Sequence, residues 1–189
     1  MTKQQEKALK TKHEIMEAAA SLFVKSGYSA TSIKDICTLS GYSVGAFYGH
    51  FSGKIELAEQ MWVHMMTDNI STSVEKGSAI NDLDDFVDYI VGDSEALSKN
   101  KLMYELYKVS HSFSSAFAEI SPYASRYLCM LYLKIKQFNP SISEDIAWST
   151  ASTIHGIINT NSQKQRDNNF SRLTPDAMKT IIRYLIMIN

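Results

Sequence analysis

A chain of 189 residues is long enough for one or two small domains with a buried core, and 44% hydrophobic content excludes disorder. Three prolines and eight glycines leave long uninterrupted stretches of helix formers, which selects an all-α fold. The net charge of −1 argues against nucleic acid only until it is mapped: through Lys54, seven lysines face Glu6, Glu14, Glu17 and Asp35, leaving +3 there and −4 in the remainder.

The first helix carries Ile15, Ala18, Ala19, Leu22 and Phe23 at i, i+3, i+4, i+7, i+8 spacing and ends at Lys25-Ser26-Gly27. Thr31-Ser32 supplies an N-cap, Ser32 and Asp35 have capping-box spacing, and Ile33, Ile36 and Cys37 give the second helix its inner face. Gly41 breaks it. Ser43 then caps a third short helix, 43–49, with Phe47 inward. Three helices this short must share one small core.

A fourth helix starts near Gly53 or Lys54, keeps Ala58, Met61, Trp62, Met65 and Ile70 on one side, and is expected to reach about Lys76 as the connector between head and body. The stripe renews at Leu83, Phe86, Val87, Ile90 and Val91, with Asp82, Asp84, Asp85 and Asp88 outward. These aspartates lack the glycine and terminal glutamate of a calcium loop and read as an acidic helix start. A helix over 101–111 follows, then one over 122–138 that is apolar on most sides and is stopped by Asn139-Pro140. Ser143-Glu144-Asp145 opens a helix bearing Ile146, Ala147, Ala151, Ile154, Ile157 and Ile158. The polar stretch 161–172 is expected to be a loop, and Thr174-Pro175-Asp176 starts a last helix with Met178, Ile181, Ile182, Leu185 and Ile186 inward.

Cys37 and Cys129 lie far apart within apolar helical patterns and are expected to be buried free thiols. The opening MTKQQEKALKTKHE has no signal-peptide stretch, and the longest apolar run, 127–133, is too short to span a bilayer. The expectation is a cytoplasmic protein without membrane contact.

The most informative segment is 31–54, TSIKDICTLSGYSVGAFYGHFSGK. Its order is helix, glycine turn, helix, then a polar-aromatic exit to a lysine, an order suited to holding a phosphate backbone while one helix faces base edges. It resembles the N-terminal domain of the TetR family of bacterial transcriptional regulators, which carries a pattern close to T-[TS]-x-x-x-I-A…G-x-S-x-G-x-x-Y-x-H-F-x-x-K. The matching residues are Thr31, Ser32, Ile36, Gly41, Ser43, Gly45, Tyr48, His50, Phe51 and Lys54. The resemblance is specific over roughly the first quarter of the chain and weak beyond it.

That resemblance implies an N-terminal three-helix helix-turn-helix domain, 1–54, followed by an effector-binding and dimerisation domain, 55–189. Thr31, Ser32, Tyr48, His50 and Lys54 are then expected on phosphates, and Phe47 and Phe51 in the core. Lys34, Ser43, Val44, Gly45, Ala46 and Gly49 are expected at base edges. Val44 and Gly49 stand where family members often carry larger polar or basic side chains, and Cys37 where they carry alanine. Val44 and Ala46 suit thymine methyls better than guanine edges, which leaves more of the selectivity to duplex shape.

The resemblance further implies a homodimer through 143–161 and 174–188, a palindromic double-stranded DNA operator, and a small-molecule effector that releases a repressor from it. No cofactor or metal is implied. Trp62, Tyr104, Tyr107, Tyr127 and His155 are the expected pocket lining, because a tyrosine-rich body must find partners for its hydroxyls. An enzyme reading finds no motif. His13, His50, His64, His111 and His155 never adopt metalloprotease spacing, neither cysteine stands in a nucleophile motif, and no glycine loop cradles phosphate. His111 and His155 are expected to be buried and hydrogen-bonded. The alternative is a helix-turn-helix regulator without an effector, or an activator, whose body serves as a protein-interaction or dimer scaffold.

Overall fold

The computed structural model describes residues 2–164 and 173–188, and every regular element among them is helical. The helices are α1 (Lys3–Ser26), α2 (Ile33–Ser40), α3 (Val44–Tyr48), α4 (Lys54–Ala79), α5 (Leu83–Ser98), α6 (Lys101–Tyr107), α7 (Ala116–Phe138), α8 (Glu144–Lys164) and α9 (Pro175–Met187). They divide between two compact units, the first comprising Met1–Met65 with Lys101–Phe117 and the second Met66–Asn100 with Ala118–Asn189. The all-α class read from the sequence holds.

In the first unit the α1 stripe buries Ile15, Ala18, Ala19 and Phe23 against Ile36 and Cys37 of α2, Phe47 of α3, Phe51, and Leu57, Ala58 and Met61 of α4. Phe23, Phe47 and Phe51 are fully covered, each contributing roughly 1.5–3 kcal/mol relative to exposure. Leu106 of α6 closes the same core. Packing in this unit therefore runs past Lys54 and draws in the distant segment Lys101–Phe117.

In the second unit α5, α8 and α9 share a core of Phe86, Val87, Ile90, Ile154, Ile158, Met178, Ile182 and Ile186, with Leu131 and Ile135 from α7. Asp82 caps α5 by accepting from the amides of Asp84 and Asp85, at 2.8 and 3.0 Å. Asp84 and Asp88 face outward and pair with Arg183 at 2.7 Å and Lys179 at 3.0 Å on α9. Asn139 ends α9 as well as α7, its amide donating to the carbonyls of Ile186 (3.2 Å) and Ile188 (3.1 Å).

Several expectations need correction. The helix expected over 101–111 stops at Tyr107 and gives way to a 3-10 turn at Ser110–Ser112, which leaves His111 exposed rather than buried. α7 begins at Ala116 instead of 122, with Pro122 inside it. Its first amides are satisfied by Glu59 of α4, a long-range cap that local spacing cannot show. One side of α7 is open, with Cys129 and Leu133 exposed, so only Cys37 is a buried thiol. Ile146 is exposed also, because it falls outside the Ala147, Ala151, Ile154 stripe. α8 runs on to Lys164, four residues into the expected loop, and the rest of that loop lies outside the described residues.

Candidate nucleic-acid interface

The turn joining α1 to α2 is held from two sides. Gly27 ends α1 at φ 87°, a conformation that L side chains rarely adopt, with its amide donating to the Phe23 carbonyl. The Thr31 hydroxyl donates back to the Gly27 carbonyl at 2.9 Å, and Thr31 is only 3% exposed. The Lys54 ammonium donates to the carbonyls of Tyr28 (2.8 Å) and Thr31 (2.7 Å) and lies 4.3 Å from the centre of the Tyr28 ring. Burial lowers the Lys54 pKa and raises that of Tyr28. From α6, the Glu105 carboxylate accepts the Tyr28 amide at 2.8 Å while pairing with Lys108 at 2.6 Å.

Past that turn, Ser32 and Asp35 form a reciprocal capping box at 3.1 and 3.0 Å, and hydrogen bonds from the Ser32 hydroxyl and amide hold Asp35 below its ordinary value. α2 ends at Gly41 with φ 75°, a left-handed cap that reverses the chain at no Cβ cost. Ser43 caps α3 by accepting the Ala46 amide at 3.1 Å. Phe47 then pins α3 into the core, its ring 5.4 Å from that of Phe51. With Phe47 inward, Ser43, Val44, Gly45, Tyr48 and Gly49 are left on the open face, Tyr48 at 55% exposure, and Lys34 and Ser32 are exposed on α2. Ala46 and His50 are half-buried.

A cavity of about 260 Å³ lies in the second unit. α4 contributes Met66, Asn69, Ile70 and Ser73, and α5 contributes Ile90, Asp93, Ser94 and Leu97, each set spaced i, i+3, i+4, i+7. Ile120, Ala124 and Tyr127 of α7 and His155, Ile158 and Asn159 of α8 complete it. Ser73 donates to Asp93 at 2.5 Å, and the Asn159 amide nitrogen lies 2.9 Å from His155 Nε2. Burial lowers the His155 pKa. Burial first, then the charge of Asp93, pushes the Tyr127 phenol far up.

Residues 15–61, the span that holds the second half of α1, the turn, α2, α3 and the start of α4, match the family described as Bacterial regulatory proteins, tetR family. The head is that of the TetR family. It is 39% identical over 56 residues to the probable acrEF/envCD operon repressor of Escherichia coli, covering 30% of this chain and 26% of that protein. It is also 34% identical over 80 residues to the HTH-type transcriptional regulator TtgR of Pseudomonas putida, covering 41% and 38%. The chain thus aligns with about a quarter to two fifths of the length of these curated relatives. In fold, the whole chain is similar to the transcriptional regulator FadR from Bacillus subtilis, solved in complex with stearoyl-CoA. That likeness has a TM-score of 0.65 at 14% identity over 93% of this chain and 97% of that one.

Within this TetR-family head the expected site residues fall into two groups. Ser32, Lys34, Ser43, Val44, Gly45, Tyr48 and Gly49 are exposed, with Ala46 and His50 at the margin. Thr31 and Lys54 are turned inward onto backbone carbonyls, so the geometry gives them the shape of the turn to hold. Of the expected effector pocket, only Tyr127 and His155 line the cavity. Trp62 and Tyr107 belong to the first unit, their rings 6.5 Å apart with Phe113 against Trp62, and Tyr104 lies there under Lys108. The sequence reading missed Ser73 and Asp93. The signal was available: both are polar residues set at helical spacing within the apolar inner faces of α4 and α5.

Proposed function

We propose that this chain is a sequence-specific DNA-binding transcriptional regulator of the TetR family, a repressor released from its operator by a small molecule bound in the second unit. The observation that carries the reading is α3. It is capped by Ser43, entered through a left-handed Gly41 and anchored by Phe47, so it presents Val44, Gly45, Tyr48 and Gly49 outward on a fixed scaffold. A short helix held by one inward aromatic suits insertion into the major groove. Ser32, Tyr48 and His50 supply hydrogen-bond donors for flanking phosphates, and Thr31 and Lys54 act through the turn they shape.

One such face reads few base pairs, so useful affinity requires two. Ile146 and Trp148 on α8 and Tyr184 and Met187 on α9 are exposed apolar side chains in the segments expected to dimerise, which supports pairing through those helices. The cavity supports an effector. α4 is one continuous helix that starts at Lys54 and carries cavity residues Met66 to Ser73 in its later turns, so a ligand that shifts α4 can alter the head. A coupling of about 1–3 kcal/mol changes operator affinity roughly 5- to 150-fold, and the operator must weaken effector binding by the same factor.

The test is selection of bound duplexes from a randomised pool by the full chain. The expected result is an inverted-repeat site bound by two protomers. A pool that stays random after selection contradicts the proposal.

A further inference from the structure

We propose that the cavity of the second unit binds an organic cation with a compact apolar body, its ammonium held by Asp93. This rests on the effector reading above and names the ligand class that reading leaves open. The wall is mostly aliphatic, with Met66, Ile70, Ile90, Leu97, Ile120 and Ile158. Among the described residues one carboxylate lines it, Asp93, which accepts a hydrogen bond from Ser73 at 2.5 Å. An ionised carboxylate has about four acceptor sites, so capacity remains for an incoming donor.

Among the described residues no lysine or arginine lines the cavity and no ion pair involves Asp93. His155 does not substitute for one, since burial favours its neutral form. The negative field of Asp93 is felt across the site: after burial itself, it is what raises the phenols of Tyr127 and Tyr89. A carboxylate in an apolar wall is costly unless paired. An incoming ammonium would supply a charge-assisted hydrogen bond, and the Tyr127 ring adds an aromatic surface that favours cations. An anionic ligand would meet like charge with no counter-cation, and a neutral one would leave Asp93 unpaired.

The test uses three probes with one apolar body: 4-phenylbutylamine, 4-phenylbutanol and 5-phenylpentanoate, titrated calorimetrically into the full chain near pH 7. The amine is expected to bind about tenfold or more tighter than the alcohol, and the acid weakest. Asp93→Asn is expected to bring amine and alcohol to similar affinity. Ala124→Phe, which narrows the cavity, is expected to lose amine binding. The inference is overturned if the alcohol or acid binds as well as the amine, if Asp93→Asn keeps the preference, if Ala124→Phe leaves amine affinity unchanged, or if no probe binds at millimolar concentration. Operator affinity measured alongside separates the two readings. An alcohol that binds and releases DNA as well as the amine overturns the cation preference while effector control stands. An amine held through Asp93 that leaves DNA affinity unchanged upholds the cation site while effector control fails.

Discussion

The Lys54 ammonium donates to the Tyr28 carbonyl at 2.8 Å and rests 4.3 Å from the centre of the same residue's ring. A second bond, to the Thr31 carbonyl, makes this lysine the underside of the turn that aims α2. Lys54→Met keeps the stem but removes both bonds, leaving the Tyr28 carbonyl only the Thr31 amide at 3.2 Å, so it is expected to destabilise the protein by about 1–3 kcal/mol in urea unfolding. Operator affinity should fall while the slope of its logarithm against the logarithm of salt stays unchanged. A slope smaller by about one would assign Lys54 a direct phosphate contact instead.

Val44 is 44% exposed at the start of α3 with no polar group to offer a base. Val44→Arg is expected to shift the preferred site toward guanine at one position in each half, with discrimination of about 1–3 kcal/mol there. The check is repeated selection from a randomised pool, and an unchanged consensus would remove Val44 from the reading face.

Glu59 provides an acid-dependent prediction. Its burial pushes the carboxyl pKa up, but donations from the amides of Ser115 and Ala116, the Ser115 hydroxyl and the Ser114 backbone outweigh this and leave it below its ordinary 4.5. Because the folded value is the lower one, the stabilisation is present above about pH 4.5 and is lost as pH falls through the folded value. Glu59→Gln should therefore lose stability near neutrality and show a shallower decline on acidification. Parallel declines in wild type and variant, followed by chemical denaturation across pH, would contradict the assignment.

Tyr184 on α9 is 66% exposed. Tyr184→Glu is expected to shift the protein from dimer toward monomer in sedimentation velocity and to weaken operator binding in step, without lowering the unfolding midpoint of the isolated chain substantially. A variant that remains dimeric would move the interface elsewhere.

The head was legible in the sequence because its determinants are local. Capping serines, a left-handed Gly41 and an aromatic at Phe47 each act within a few residues, and all fall where the spacing placed them. Thr31 and Lys54 were readable as part of the motif but not in orientation, since a lysine's partner 26 residues away depends on how the turn folds back. The body was less legible. Glu59 caps a helix more than fifty residues away, and Glu105 fixes an amide 77 residues back. The cavity escaped an aromatic-led reading for a different reason: Trp62 and Tyr107 were assigned by type, whereas Ser73 and Asp93 declare themselves only when polar residues are followed along the apolar face.

The most direct measurement is fluorescence anisotropy of a labelled, selected inverted-repeat duplex titrated with the full chain, beside a scrambled duplex of equal composition, at about 50 and 200 mM salt. The account predicts saturation at two protomers per duplex and preference for the selected site. It also predicts weaker binding at the higher salt. Equal affinity for both duplexes, or binding that ignores salt, would contradict it.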